Sequence, residues 1–257
     1  MLTFRNTNIF FIALLLVIVA VHFYSRVPWL TYAGLLLAYS AVVFWGCYFV
    51  SSNFFLPVIC SAETSKRQIA LSFDDGPSNQ FTTDILEILN AENVKAAFFC
   101  IGKRIKENEQ VFKQVYKQGH LVGNHSYSHH FWFDLFSSKK MLADLQQTDL
   151  AMESTVGIKP TLFRPPYGVT NPNLKKAIIN GGYTPIGWSV RSMDTVTNNK
   201  EKLLDKITRS LKPGAIYLFH DTSKTTLAVL PAFISYARES GYEIIRLDKM
   251  LNLNPYA

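Results

Sequence analysis

The first fifty residues limit most strongly what this chain can fold into. From Asn6 to Ser25 there is no Asp, Glu, Lys or Arg, and Ile9 to Phe23 is almost wholly aliphatic and aromatic. A helix that is apolar on every side has no face for water, so a soluble domain cannot expose it. The run is long enough to cross a bilayer. After a break at Ser25-Arg26-Val27-Pro28, a second uncharged run extends from Trp29 to Val50, and its Trp29, Tyr32, Tyr39, Trp45 and Tyr48 suit membrane interfaces. We therefore expect a two-helix transmembrane hairpin within residues 1–52, with spans near 8–24 and 29–50. A cleaved signal peptide is the alternative; against it, the first run ends in His22-Phe23-Tyr24 rather than small residues, and a second run follows. Arg5, Arg26, Lys66 and Arg67 are spread too evenly about the two runs to orient them. The expected location is integral to the membrane, a bacterial inner membrane, with the side of the remaining chain left open.

Past a connector at 53–67 the pattern changes. Apolar, strand-like runs at Gln68 to Phe73, Ala96 to Ile101, Leu121 to Asn124, Thr161 to Arg164, Thr184 to Ser189, Ala215 to Phe219 and Glu243 to Arg246 alternate with helix-like segments. Phe81 to Asn90 places Ile85, Leu86 and Leu89 on one face, and Lys140 to Thr155 does the same with Met141, Leu145 and Met152. Asn171-Pro172 reads as a helix start and Gly181-Gly182 as a stop. Strand and helix in alternation are the mark of parallel βα units, so residues 68–251 are expected to form an α/β domain with a (β/α)7 barrel-like sheet. Chemistry in such sheets gathers at the C-terminal ends of the strands. The three cysteines, Cys47, Cys60 and Cys100, do not make a disulfide framework. The net charge of +7 suits an anionic envelope or lipid surface, though a solvated surface has it as often.

Polar motifs occur where those strands should end. Asp74-Asp75-Gly76-Pro77 sets adjacent carboxylates at a turn; neighbouring residues point apart, so one acid can ligate a metal and the other take a proton from water. His125 and His129, four residues apart, share one face if the segment is a helical turn. A carboxylate and two neutral imidazoles, with other positions left to water, make a catalytic site for zinc or a similar divalent ion, cobalt or nickel being the other choices. His120 and His130 are expected in ordinary packing or surface roles. Arg164, followed by Pro165 and Pro166, can hold a catalytic carboxylate ionised. His220 is a strand-end imidazole suited to general acid work, and Asp194 could orient it.

These motifs, in this order, resemble the polysaccharide deacetylases of the NodB-homology type, carbohydrate esterase family 4, over roughly residues 66–250. The resemblance implies a distorted (β/α) barrel and metal-dependent removal of acetyl groups from N-acetylated sugars. It makes Asp74 the base, Asp75 a metal ligand with His125 and His129, and Arg164 the brace of the base. It gives Tyr167 the backbone N–H that holds the oxyanion, Leu218 the acetyl pocket, His220 the acid, and Trp188 a place on the substrate side. One motif departs: where the family commonly has Asp-x-x-Asp-Trp, this chain has Arg191, Asp194 and Thr195, which inverts a charge and removes an aromatic wall.

The expected function is a membrane-anchored, metal-dependent N-deacetylase acting on a cell-envelope polysaccharide or chitooligosaccharide. Two others stand beside it: a deacylase or deformylase of a lipid-linked sugar, and a catalytically inactive, membrane-tethered glycan-binding protein. The expected partners are an N-acetylated glycan and the lipid bilayer, with no nucleic acid; nothing in the chain specifies an oligomeric state.

Overall fold

The computed structural model describes residues 2–257. Two helices come first, α1 (Phe4–Tyr24) and α2 (Trp29–Tyr48). Both are long and apolar enough to cross a membrane, with mean hydropathies of 2.3 and 1.6, and only 6% of each apolar window is buried within the protein. The first begins earlier than expected because the Thr3 hydroxyl accepts from the Asn6 N–H and caps the turn. Inside the hairpin the Tyr39 hydroxyl donates to Asn8 Oδ1 at 2.9 Å, so the side-chain oxygen of that amide is paired between the two helices.

The rest is a curled parallel sheet wrapped by helices. In chain order it runs β1 (Gln68–Asp74), α3 (Phe81–Ala91), β2 (Ala97–Cys100), α4 (Gly102–Glu107), α5 (Glu109–Lys117), β3 (Leu121–Asn124), α6 (Ser138–Val156), β4 (Leu162–Phe163) and α7 (Pro172–Gly181). It continues through β5 (Thr184–Pro185), β6 (Val190–Arg191), α8 (Lys200–Arg209), β7 (Ala215–His220), α9 (Lys224–Glu239), β8 (Glu243–Ile244) and α10 (Leu247–Leu251). The sheet order is β5-β4-β3-β2-β1-β7-β6, with β8 beside β1, and these pairings are parallel. This is the distorted (β/α)7-like barrel: a half-barrel with a seam between its β5 and β6 edges.

Two features of the seam come from the chain's chemistry. The run expected as one strand at 184–189 is strand only over Thr184–Pro185, and β6 begins just beyond it, because the Ile186 and Gly187 carbonyls go to the Arg164 guanidinium, at 3.3 and 2.9 Å, instead of to a ladder. The segment expected as a connector lies across the gap. Ile59 takes the Pro185 carbonyl and gives its own to Gly187, while Ala62 bonds the Gly214 carbonyl. Phe54, Phe55, Leu56 and Val58 of that segment are buried against Leu174, Ala177 and Ile178 of α7.

β1 shows how the strand pattern builds a site. Ile69, Leu71 and Phe73 face the helices and join the large outer core, whereas Ala70 faces the barrel interior with Ala97, Phe99, Leu162 and Ile216. With a period of two, Ser72 and Asp74 share the inner face with Ala70. The interior is thus apolar below and polar at the strand ends.

The hairpin docks on this domain at α2's last turn. The Cys47 and Gly46 carbonyls accept from the Thr170 N–H and hydroxyl at 3.1 and 3.2 Å, and the Phe4 N–H donates to the Phe54 carbonyl at 2.9 Å. Gly46 has no side chain because the Phe54 ring occupies that space. Gly46→Val is expected to weaken docking by about 1–3 kcal/mol, the usual cost of overpacking. Proteolytic nicking within residues 53–62 should then begin at lower denaturant than in the parent.

Candidate active site

Asp74 is the last residue of β1 and is buried, 2% exposed. Its Oδ1 accepts from Arg164 Nη1 at 2.7 Å, and the same nitrogen donates to Ser72 Oγ at 2.8 Å. Arg164 is fully buried, its guanidinium 4.1 Å from the Phe99 ring centroid. Burial lowers its pKa, but the Asp74 carboxylate beside it supports the charge. Asp74 Oδ2 lies 3.8 Å from His125 Nε2.

Asp75 turns away from Asp74 because its backbone is left-handed, φ 76°. That bend is held by Arg104, which donates to the Asp75 carbonyl at 2.6 Å, and by the Ile101 N–H on the Gly76 carbonyl. Asp75 Oδ1 then sits 3.5 Å from His125 Nε2 and 3.3 Å from His129 Nε2. Burial opposes the charge on Asp75, but the His125 contact, followed by the charges of His129 and His220, holds its carboxyl well below the ordinary range.

The two histidines meet by a route other than the expected helical turn. Residues 125–130 form an irregular loop in which Ser126 and His129 have φ of 63° and 41°. The loop is fastened to α6. Asp144 accepts from the Tyr127 and Ser128 N–H groups and the Ser128 hydroxyl, and Asn124, itself bonded to Asp149, accepts from the Ser126 N–H. Such bonds give the backbone a local alternative to a helix. His125 Nδ1 bonds the Arg164 carbonyl at 2.8 Å, which makes it a protonated nitrogen and leaves Nε2 facing Asp75. Burial and the neighbouring His125 keep His129 neutral, its pKa pushed down to about 4, while the Asp74 and Asp75 carboxylates overcome burial and raise His125.

The donor set fits a divalent metal. One ligand atom from each of Asp75, His125 and His129 lies within 4.8 Å of the others. One carboxylate and two imidazoles match zinc's oxygen and nitrogen preference and leave coordination positions for water and substrate. They face a cavity of about 240 Å³ that Asp74, His220, Leu218, Tyr167 and Trp188 also line.

On the other wall His220, the end of β7, gives Nδ1 to Asp194 Oδ1 at 2.7 Å, so Nε2 is left for the cavity side. Asp194 is buried and saturated: the His220 N–H and Thr226 hydroxyl bond Oδ2, and the Ser192 hydroxyl bonds Oδ1. Burial disfavours the imidazolium, but the Asp194 bond and charge outweigh it and raise the His220 pKa to about 9. Leu218 is buried and Tyr167 exposed, with left-handed backbone at φ 58°. Gly168, φ 73°, lets the Trp188 indole sit where a Cβ would meet it at 2.5 Å. Arg191 and Thr195, the two departures, also line the cavity, and Arg191 lies 5.9 Å from the Trp188 ring.

His120 is buried with Nδ1 on the Ala96 N–H at 3.1 Å, and His130 bonds the Trp132 N–H, so neither joins the cavity. Sequence reasoning missed the supports: Asp144 and Asp149 on α6, Ser192, Thr226, and Asp221. Asp221 is buried under Gly76, bonds Thr82 at 2.6 Å, and burial pushes its carboxyl up to about 7. The available signal was Thr148-Asp149 interrupting the apolar stripe of the helix that carries Leu145 and Met152.

A family model described as polysaccharide deacetylase matches residues 61–186. The chain is 35% identical over 202 residues to the peptidoglycan-N-acetylglucosamine deacetylase PgdA of Listeria monocytogenes, a match covering 79% of this chain and 42% of that protein. The chain thus spans less than half the length of that relative. It is 30% identical to the peptidoglycan-N-acetylmuramic acid deacetylase PdaA of Bacillus subtilis, covering 73% of each. Among solved structures it is similar to a carbohydrate esterase family 4 pseudoenzyme from Bacillus anthracis, with a TM-score of 0.71 and 30% identity over 76% of this chain and 69% of that one. The chain belongs to the polysaccharide deacetylase family, whose deacetylases are hydrolases of N-acetyl amide bonds that use a divalent metal.

Two outcomes are expected from this geometry. Arg164→Met leaves Asp74 buried and unpaired, so stability to denaturant should fall by roughly 3–5 kcal/mol. For His220 the raised pKa means the protonated form is present below about 9 and lost above it. Asp194→Asn removes the charge that raises it, so the alkaline limb of the kcat/KM profile should move to lower pH. An unmoved limb would exclude His220 as the group that titrates.

Proposed function

We propose that this chain is a membrane-anchored, divalent-metal-dependent deacetylase that hydrolyses the N-acetyl group of an amino sugar in a bacterial envelope polysaccharide of the peptidoglycan type. The observation that carries the reading is the opposition, across one cavity, of an Arg164-braced carboxylate and an Asp194-braced imidazole, with the Asp75–His125–His129 set between them.

A divalent ion held by Asp75, His125 and His129 would polarise the amide carbonyl and acidify water. Asp74, its Oδ1 occupied by Arg164, takes the proton of the attacking water. Oxygen adds to the carbonyl carbon, and the backbone N–H of Tyr167 donates to the oxyanion, the place where a fixed donor contributes most. His220 Nε2 gives its proton to the sugar nitrogen as the C–N bond breaks, and acetate and a free amine leave. Leu218 packs on the acetyl methyl and Trp188 on the sugar.

Arg191 supports an anionic polymer over a neutral chitooligosaccharide. It puts a cation on the cavity wall. Anchoring is supported by the hairpin's composition and by its docking on the domain through Gly46, Cys47 and Thr170. Against the inactive reading, Asp74, Asp75, His125, His129 and His220 line one cavity, with Arg164 bonded to Asp74 and Asp194 to His220.

Acetate release from purified peptidoglycan and from chitooligosaccharides by the metal-loaded chain tests this. Release should need the metal, favour peptidoglycan, and fall by about 10²–10⁴-fold in Asp74→Asn, the usual contribution of a positioned base. Metal-bound, folded protein that releases no acetate from either would overturn it.

A further inference from the structure

Next to the catalytic cavity is a loop with an unusual surface. Phe131, Trp132 and Leu135 are 70%, 56% and 73% exposed, while Phe133 between them is fully buried. The loop is not slack. The Phe133 N–H bonds the His130 carbonyl, and Asn171 and Asn173 of the α7 start donate to the Asp134 and Phe136 carbonyls at 2.8 and 3.1 Å. A fixed loop that turns two aromatics and a leucine outward marks an interaction surface.

Its position says what it meets. Leu135 and Asp134 line one depression together with Cys47, in the last turn of α2. The adjoining depression is lined by Phe131, Trp132, Leu135 and Tyr167, and the Tyr167 ring stands 4.8 Å from that of His129. An unbroken strip therefore runs from the hairpin's exit, past the loop, to the proposed metal ligands. Cations occur beside it: Lys140 stands over the Phe136 ring of the loop at 3.6 Å, Lys139 next to it in sequence is exposed, and Arg5 and Lys175 line a depression at the foot of the hairpin. Aromatic side chains at the level where a span ends, with lysine beside them, suit the headgroup region of an anionic bilayer.

We propose that Phe131, Trp132 and Leu135 insert into the membrane interface and seat the mouth of the catalytic cavity at headgroup level. The seat selects glycans lying within reach of the bilayer, whether lipid-linked or freshly attached, over polymer far from it. This rests on the membrane-anchored reading above and adds a second, independent contact to it.

The test uses the full chain in phosphatidylcholine–phosphatidylglycerol vesicles whose acyl chains are brominated near the headgroup. Bromine quenches tryptophan on contact, and the Trp132 share is the difference between parent and Trp132→Phe. The expected result is a quenched Trp132 share that disappears when Phe131→Ser and Leu135→Ser are combined. A Trp132 share that bromine leaves unchanged overturns the seat. Alkaline carbonate washing separates the two readings: a chain that washes off overturns the anchor, whereas a chain that stays with Trp132 unquenched overturns the seat alone. Neither readout needs catalysis. In the active enzyme the double variant should lose rate several-fold on a vesicle-held N-acetylglucosaminyl lipid and keep its rate on a soluble chitooligosaccharide; equal loss on both overturns the seat.

Discussion

The buried pair of Arg164 and Asp74 is the contact on which this domain turns. One guanidinium reaches across the barrel interior from the end of β4 to the end of β1, bonds Ser72 on the way, and takes two carbonyls at the seam. A buried ion pair is weak support for stability in general, because desolvation costs as much as attraction returns. Here the cation is met on several sides, by a carboxylate, a hydroxyl, two carbonyls and the Phe99 face, which is the condition under which such a group is tolerated. The return is positional. The same residue's carbonyl takes His125 Nδ1, so one arginine sets the position of Asp74 and the tautomer of its neighbouring histidine.

The division of labour between adjacent aspartates follows from backbone geometry. Asp74 still belongs to the strand and points into the barrel; Asp75, at positive φ, has left it and faces the histidine loop. The two carboxylates are thereby given different partners, a cation for one and two imidazoles for the other. Across the cavity His220 repeats the scheme with the signs exchanged, an imidazole raised by a buried carboxylate that three further donors hold in place. Groups whose environments push their proton affinities apart are what acid and base assignments require.

Much of this was legible in the residues. Strands buried on both faces read as continuous apolar runs, and β1, β2, β3 and β7 lie within a residue of where those runs stand. The side chains named from the motifs lie around one cavity because strand ends in a parallel sheet share one rim. What was not legible depends on long-range contacts. The shortening of the run at 184–189 follows from carbonyls captured by Arg164, far earlier in the chain, and a local pattern cannot report that. The i, i+4 spacing of His125 and His129 pointed to a helical turn, yet Asp144 and Asn124 hold the segment as a loop that brings the rings together by another path. The connector's bridging of the seam was not legible because Ile59 and Ala62 do it with backbone groups, although its apolar Phe54, Phe55, Leu56 and Val58 are buried as well.

The seam also explains why the hairpin and the catalytic cavity belong to one mechanical unit. Ile59 and Ala62 are bonded to the strands at the gap, Phe54 and Phe55 are buried against α7, and Phe54 fills the place of a side chain at Gly46. Thr170, two residues after Gly168, bonds the end of α2 directly. The loop from Arg164 to Thr170 therefore touches Asp74 at one end and the hairpin at the other, with Tyr167 between. Movement of the hairpin against the domain would have to break backbone bonds and empty a packed core. Rigid docking of this kind fixes the distance between the cavity mouth and the plane in which the hairpin lies, which a flexible linker could not do.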